Sequence, residues 1–368
     1  MTSNESKCPA TQQSEVAPEH WFAELELRFD SAARRVGTEE RWYRIGDLVM
    51  HLVFAGQGVQ RIVCPAFEHL AISPPDDGSD LKVDFTVQLF AEQDAGHRLP
   101  PPPVSLDSFS ARGDIAGLNN AACKASLQPF GKIISAYLVE QRKAVVYYGD
   151  LSSVYNFERA SPLRSLLGWV MRGHGRQLTH AGVVSHLGQG LLLGGKGGSG
   201  KSNTALACLA AGMEFLSDDF CSVASEPEPT AYSLFGTGRT LTEDMERLPF
   251  LKSLFDRAES FPQDKELYLL ARSFPKLIIP KCRVRAILLP RVAVDRQLSL
   301  EPASSREALL ALAPITTTLL PDAGPEVIQN LGVLVRSLPA YRLYLGPDIA
   351  KVPHFLRETI QRLSAPTA

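Results

Sequence analysis

The sequence predicts an α/β protein in which a mainly β front module precedes an α/β core built around a glycine-rich loop. Three observations predict it: period-two apolar residues between 42 and 90, a helix-like segment after residue 160, and glycines placed between a strand-like and a helix-like run. The chain has 368 residues, 45% of them apolar, which is enough to bury a large core. We predict a disordered terminus over 1–20, a β-rich module over 21–155 and the core over 156–368.

Composition and charge exclude several classes of protein. The formal net charge is -2, so no basic surface for nucleic acid or for an anionic membrane is indicated. The six cysteines form no C-x-x-C pair, which argues against a zinc site or a disulfide framework. The opening residues "MTSNESKCPATQQSE" lack the apolar core of a signal peptide, and no later run approaches the ~18 apolar residues of a membrane helix. We therefore expect a soluble cytoplasmic protein.

The front module contains alternating apolar residues bounded by turn-forming segments. The alternation is clearest in "WYRIGDLVMHLVFAG" and in "KVDFTVQLF", and "SPPDDGSD" and "GHRLPPPPVS" interrupt the regular structure around the latter. Further strands are expected over 133–139 and 144–148. The apolar residues at period two are Leu48, Met50, Leu52, Phe54, Val83, Phe85, Val87 and Leu89.

A helix is expected to join the two parts, over "SPLRSLLGWVMRGHG". Ser161 is a suitable N-cap, Pro162 suits the first helical position, and Gly173 stands near the stop. Near the C-terminus, Ser304 and Glu307 have capping-box spacing ahead of a helix. A second helix opening at Pro325, a short strand "YRLYLG" and a final amphipathic helix follow.

The middle of the chain alternates strands with one helix. "GVVSHLGQGLLLGG" predicts two strands around a turn at 187–190, and residues 203–211 have a helical composition, with Gly212 as the stop. "EFLSDDFCSV" then predicts another strand. The order is therefore strand, glycine-rich loop, helix, strand.

The glycine-rich loop matches the pattern G-x-x-x-x-G-K-[ST]. Glycines let the backbone curl until several N–H groups point inward, and this forms a cradle for phosphate oxygens at a helix N-terminus. Lys201 would reach the β and γ phosphates, and the Ser202 hydroxyl would bind Mg²⁺. The alternative is a glycine-rich turn whose lysine is only solvated. The nucleotide-binding residues predicted are Gly195, Lys196, Gly197, Gly198, Ser199, Gly200, Lys201, Ser202 and Asn203.

Asp218 and Asp219 form a second informative pair. An aspartate at the end of the strand after the loop can hold Mg²⁺, which we assign to Asp218, while its neighbour Asp219 accepts the proton of an attacking hydroxyl. Adjacent residues of a regular strand point to opposite faces, so both can serve one site only where the strand ends or kinks. The alternative is that one of them caps or turns the chain.

The segment "HAGVVSHLGQGLLLGGKGGSGKSNTALACLAAGMEFLSDDF" resembles the nucleotide-binding core of the HPr kinase/phosphorylase family. Members of that family place a histidine, a strand pair, a P-loop and an aspartate pair at similar spacing. The resemblance implies a compact α/β domain related to phosphoenolpyruvate carboxykinase, with Asp219 as general base and His180 as a catalytic-site residue. It also implies ATP and Mg²⁺ as cofactors. Related kinases form assemblies, so a homo-oligomer is an open alternative that the sequence itself does not decide.

The resemblance covers about 40 to 60 residues and departs from the family elsewhere. "FGTGRTLTEDMERL" stands where that family has a further metal-binding acid and a basic residue, and does not match that signature. It supplies Glu243, Asp244 and Arg239 as weaker candidates. The front module does not resemble the family's sensor domain, so neither HPr as substrate nor the reverse dephosphorylation is expected.

Several residues also have a purely structural interpretation. His180 could be a partly buried histidine with one backbone partner, and His174 and His186 are assigned no function. Cys208 and Cys221 are expected to pack as small apolar groups.

The sequence favours an ATP-dependent kinase that phosphorylates a serine or similar hydroxyl on a protein or peptide. Two alternatives stay open: a kinase for free serine, a sugar or another metabolite, and an ATP-binding regulator that transfers no phosphate.

Overall fold

Two mixed β-sheets, with helices on their faces, organise the computed structural model of the chain. The structure describes residues 18–75, 81–96, 110–241, 243, 244, 248 and 265–365. Within them the helices are α1 (Pro18–Val36), α2 (Gln57–Phe67), α3 (Glu92–Ala95), α4 (Asn156–Ala160), α5 (Arg164–Gly173), α6 (Lys201–Ala210), α7 (Leu270–Ser273), α8 (Ser305–Leu319), α9 (Pro325–Ser337) and α10 (Val352–Ser364).

The strands alternate with these helices along the chain. They are β1 (Thr38–Ile45), β2 (Leu48–Ala55), β3 (Ala71–Ile72), β4 (Phe85–Ala91), β5 (Cys123–Gln128), β6 (Ile133–Leu138), β7 (Lys143–Tyr148), β8 (Gln177–His180), β9 (Gly182–His186), β10 (Gln189–Leu193), β11 (Glu214–Ser217), β12 (Phe220–Ala224), β13 (Thr230–Tyr232), β14 (Thr237–Thr240), β15 (Glu266–Leu269), β16 (Lys281–Arg291), β17 (Ser299–Ala303) and β18 (Ala340–Tyr344).

The front sheet has the order β3-β1-β2-β4-β7-β6-β5, and β2, β4 and β7 run parallel. The predicted alternation is confirmed in β2, where Leu48, Met50, Leu52 and Phe54 are all buried. The strands expected over 133–139 and 144–148 are β6 and β7. The sequence pattern therefore located the central strands of this sheet.

The front part is α/β rather than mainly β, which corrects the expectation from sequence. Helix α1 buries a stripe of apolar residues at helical spacing: Trp21, Phe22, Leu25, Phe29 and Ala32. Helix α2 packs in a separate apolar cluster that includes the other face of the sheet. Residues 18–20 begin α1 and are not disordered, whereas residues 1–17 lie outside the described part. Charged residues interleave with the stripe in α1, so its helical period is easy to miss.

The second sheet has the order β11-β9-β10-β16-β13-β12-β8, and β18 pairs with β16 and β17. Strands β10, β16 and β18 are parallel. The predicted strand, loop, helix order is confirmed by β10 and α6, although α6 begins at Lys201 and not at residue 203. "EFLSDDFCSV" forms two strands, β11 and β12, because the chain breaks at Asp218 and Asp219.

The helix that joins the two parts begins later than the sequence suggested. Helix α4 ends at Ala160, and Ser161 to Leu163 form the turn before α5. Leu163, in a left-handed conformation, is the N-cap, so Ser161 is not the cap and Pro162 is not the first helical residue. The predicted stop at Gly173 is confirmed.

The C-terminal elements agree with the sequence expectations. Ser304 and Glu307 form a capping box at α8, α9 begins at Pro325, and "YRLYLG" contains β18. Helix α10 packs with α6 in one apolar cluster on the second sheet. Among the described residues, no helix combines the length and the apolar character that crossing a bilayer requires.

One apolar core continues from the front sheet into the second sheet. It includes Met50 of β2 and Leu192 of β10, with α2, α5, α8 and α9 contributing between them. The Phe67 ring lies 5.5 Å from those of Tyr43 and Phe235, which belong to the two different parts of the chain. The two predicted domains therefore pack against each other through buried apolar side chains.

His69 forms a polar contact across the same boundary. Its Nε2 lies 2.8 Å from the Ser233 hydroxyl, which itself donates to the Leu216 carbonyl. The hydroxyl therefore accepts a hydrogen bond from Nε2–H, and the imidazole is neutral. Burial lowers the pKa of His69 to about 3. The front part thus connects by two hydrogen bonds to the end of β11.

We predict that the His69→Gln variant loses part of the pH dependence of stability. Between pH ~6.5, where histidine protonates in the unfolded chain, and pH ~3, the unfolded chain binds a proton that the folded chain does not. The unfolding free energy of the wild type should therefore fall as the pH decreases through this window, by up to about 1.4 kcal/mol per pH unit from this group.

Urea unfolding between pH ~6.5 and pH ~4.5, within that window, measures the effect. The slope should be shallower in His69→Gln, whose amide can still donate to Ser233. His354→Gln, in which the replaced side chain is 76% exposed, is the control and should keep the wild-type slope. Equal slopes in all three proteins would contradict a neutral, buried His69.

Candidate functional site

The glycine-rich loop connects β10 to α6 through a backbone that only glycine adopts readily. Gly195, Gly198 and Gly200 have φ values of 150°, 76° and 99°. Gly200 is the N-cap of α6, and a Cβ there would lie 2.4 Å from a methyl carbon of Leu345. Both the backbone angle and the lack of space therefore require glycine at residue 200.

The Lys201 ammonium lies inside this loop. It donates to the Gly195 carbonyl at 2.6 Å and to the Lys196 carbonyl at 3.2 Å, and the side chain is buried. Burial lowers its pKa, whereas the negative charges of Asp219 and Asp218 act in the opposite direction. Lys201 is therefore electrostatically coupled to both aspartates.

The two aspartates lie where the second sheet curls back on itself. Only Asp218 and Asp219 connect β11, at one end of the strand order, to β12 near the other end, and only Ala181 connects β8 to β9. Links of one and two residues span at most about 7 and 11 Å. The ends of the sheet must therefore meet, and the Ser217 hydroxyl donates to the Ala181 carbonyl across this seam at 3.0 Å.

Asp219 accepts bonds from two basic side chains at the seam. His180 Nε2 lies 2.8 Å from Oδ1, and the Arg239 guanidinium donates to Oδ2 at 2.9 Å. Burial alone would raise the pKa of Asp219. Arg239 and His180 lower this pKa by more than burial raises it, so the net pKa lies well below the ordinary value. Asp219 is therefore an ionised carboxylate.

Asp218 has the opposite electrostatic environment. Its Oδ2 accepts the Arg239 backbone N–H at 2.7 Å, whereas its buried Oδ1 has no hydrogen-bond partner among the described residues. Burial and the charge of Asp219 raise its pKa, against smaller opposing effects of the nearby Ser202 hydroxyl, the Arg239 N–H and Lys265. An unpaired carboxylate oxygen beside a hydroxyl is suited to binding a cation.

These residues fit the Mg²⁺ that the sequence predicted. In the described part of the chain, no three acidic, histidine or cysteine residues form a self-sufficient metal cluster. Mg²⁺ bound with a nucleotide needs only one or two protein ligands, because phosphate and water oxygens complete its coordination. The free Oδ1 of Asp218 and the nearby Ser202 hydroxyl have the chemistry of such ligands.

The remaining predicted residues surround this centre. Asn203 Oδ1 accepts from the Thr240 hydroxyl at 3.1 Å, and that hydroxyl also contacts Asp244 at 3.4 Å. Glu243 is exposed. Lys196 and Gly197 are exposed on the outer side of the loop, and the Ser199 hydroxyl is folded into it.

The histidines and cysteines outside the centre have structural environments. His174 is exposed and donates through Nδ1–H to the Val170 carbonyl, and His186 ends β9. Burial raises the pKa of the Cys208 thiol to about 12 and also raises that of Cys221. Both cysteines lie in apolar clusters, which confirms the packing expected for them.

Three residues contribute more than the sequence indicated. Arg239, a weaker candidate, contacts both aspartates, and its guanidinium carbon lies 4.7 Å from the centroid of the Phe157 ring. Neither Phe157 nor Lys265 was a candidate, because nothing in the local pattern of α4 or before β15 relates them to the loop. Asn156 donates to the Lys265 carbonyl at 2.9 Å, so α4 holds the start of β15 beside the aspartates.

Comparisons with known proteins leave the family of this chain open. No protein-family model and no curated protein matches the sequence. Among solved structures, the chain is similar to the HPr(Ser) kinase/phosphatase from Coxiella burnetii, with 12% sequence identity and a TM-score of 0.27. The alignment covers 50% of this chain and 94% of that one. At this distance the likeness decides neither fold nor activity.

We predict that Arg239→Met raises the pKa of Asp219 above the ordinary value for aspartate. The guanidinium is the largest influence that opposes burial, and without it only the weaker effects of His180 and of the Lys201 charge remain. NMR titration of ¹³C-carboxyl-labelled aspartate, without divalent cations, measures the change, and Asp219→Asn assigns the resonance.

In the wild type, the Asp219 resonance should keep the chemical shift of an ionised carboxylate down to the acid limit of the folded protein. In the variant, the Asp219 carboxyl should titrate above pH ~4. Arg272→Met, which breaks an exposed pair with Glu68 away from the site, is the control. A variant resonance that still fails to titrate would show that Arg239 does not keep Asp219 ionised.

Proposed function

We propose that this protein is an ATP-dependent kinase that transfers the γ-phosphoryl group to a serine or similar hydroxyl on a protein or peptide. One observation carries the proposal: the lysine of the glycine-rich loop is buried with its ammonium inside the loop, at the start of a helix whose Ser202 hydroxyl lies near the buried, unpaired Oδ1 of Asp218. A solvated turn would not bury its lysine ammonium inside the fold.

The loop and α6 would bind the triphosphate. Their N–H groups form the cradle, and Lys201 would exchange the carbonyls of Gly195 and Lys196 for phosphate oxygens. Ser202 and Asp218 would hold Mg²⁺, which supplies positive charge to balance the phosphates. Arg239 and Lys265 add further positive charge at the aspartates' side of the site.

Asp219 would orient the acceptor hydroxyl and take its proton. The hydroxyl oxygen forms a bond to the γ phosphorus, the bond from this phosphorus to the oxygen of ADP breaks, and the hydroxyl proton moves to Asp219. A carboxylate with a low pKa is a weak base. In a loose transition state, however, the proton leaves late, so orientation of the hydroxyl matters more than base strength. His180 fixes the position of Oδ1 during this step.

The acceptor class rests on the resemblance noted in the sequence, and a protein or peptide is preferred over a free metabolite on that ground. A regulator without transfer activity is the second candidate. Its supporting observation is that both oxygens of Asp219 are engaged, by His180 and by Arg239. An acceptor hydroxyl must replace or share one of these contacts.

We predict that two substitutions separate binding from transfer. Lys201→Ala should weaken ATP binding roughly 10- to 100-fold, because a charged hydrogen bond to phosphate is lost. Asp219→Asn should keep ATP affinity within a few-fold and slow transfer about 10²- to 10⁴-fold.

Calorimetry with ATP and Mg²⁺ measures binding, and γ-labelled ATP in a lysate of the source cell, separated by molecular size, measures transfer. Lys276→Ala and Asp30→Asn, both at exposed positions, are the matched controls. Label on a macromolecule that both site variants lose supports the proposal. Label on small molecules alone would show that the acceptor is a metabolite and not a protein or peptide. ATP binding without any transfer would favour the regulator.

A further inference from the structure

The two sides of the glycine-rich loop differ in chemistry. The parallel strands β10, β16 and β18 end at one edge of the second sheet. At this edge the glycine-rich loop follows β10, residues 292–298 follow β16 and residues 345–348 follow β18. Ligands of α/β sheets bind outside such carboxyl ends. Strand β11 reaches the loop from the other side and places Asp218 and Asp219 there. The two aspartates and their partners His180 and Arg239 therefore lie on one side of the loop.

Apolar side chains occupy the opposite side. A Cβ added at Gly200 would lie 2.4 Å from Cδ1 of Leu345 and 3.5 Å from Cγ2 of Val292. Val292 is 58% exposed and Val294 is 73% exposed, whereas Leu345 is buried. The exposed Val292 thus lies beside Gly200, the N-cap of α6, and the exposed Val294 follows it two residues later in the chain.

The segment that carries these valines is anchored at its far end. The Arg296 guanidinium lies 3.6 Å from the centroid of the Tyr344 ring and pairs with Glu301 at 2.5 Å. The Arg296 N–H donates to the Ala293 carbonyl, which closes a turn around Val294. The valines are therefore presented by an anchored turn.

We propose that the nucleobase of the bound nucleotide packs on Val292 and Val294, on the side of the loop away from Asp219. This inference rests on the proposed nucleotide binding and adds to it where the nucleoside lies. A nucleoside triphosphate has a charged end and a flat apolar end, and the site has charged and apolar sides in the same order. With the γ phosphate directed to Asp219, the base would point toward the valines.

Calorimetry on the full chain tests the proposal with two probes, ATP and inorganic tripolyphosphate, each with Mg²⁺. The wild type should bind ATP at least about tenfold more tightly than tripolyphosphate, because only ATP buries apolar surface on the valines. In the double variant Val292→Ser, Val294→Ser, ATP affinity should fall about tenfold and tripolyphosphate affinity should stay unchanged. Both positions are exposed, so the variant should fold.

Ile328→Ser, at an exposed position on α9, is the control and should bind both probes as the wild type does. Equal wild-type affinities for the two probes, or unchanged ATP affinity in the double variant, would overturn the nucleobase position while phosphate binding stands. Binding of neither probe by the wild type would instead overturn the proposed phosphate site, and the nucleobase position with it.

Discussion

Closure of the second sheet at the seam is the constraint on which the site depends. Two residues join β11 to β12 and one joins β8 to β9, so strands at opposite ends of the strand order must meet. The strand break turns Asp218 and Asp219 into a linker and brings His180 against Asp219. A regular strand through this segment would have directed the two carboxylates to opposite faces of the sheet.

The adjacent carboxylates have pKa values displaced in opposite directions. Asp219 has Arg239 and His180 as partners and stays ionised, whereas Asp218 has a backbone donor and one free oxygen. Displaced pKa values in neighbouring acids are the physical basis for different roles. Arg239 makes the difference, because its guanidinium serves one aspartate and its backbone N–H serves the other.

The front part of the chain supports this site directly. Phe157 of α4 lies against the guanidinium groups of both Arg239 and Arg164, and Arg164 forms a buried two-bond pair with Glu158. His69 reaches the end of β11 through Ser233. A continuous apolar core underlies these polar contacts. Residues before 161 therefore help to hold the aspartates in place, whatever else they recognise.

The sequence by itself determined the features whose causes are local. Period-two apolar residues identified β2, the Ser304 capping box identified α8, and the glycine-lysine-serine order located the loop between β10 and α6, because each depends on neighbouring residues. Only the tertiary structure decided that the aspartate strand breaks, that α5 starts after Ser161, and that Arg239, Phe157 and Lys265 surround the pair. These outcomes arise from sheet closure and from packing between distant segments, which leave no period or spacing along the chain.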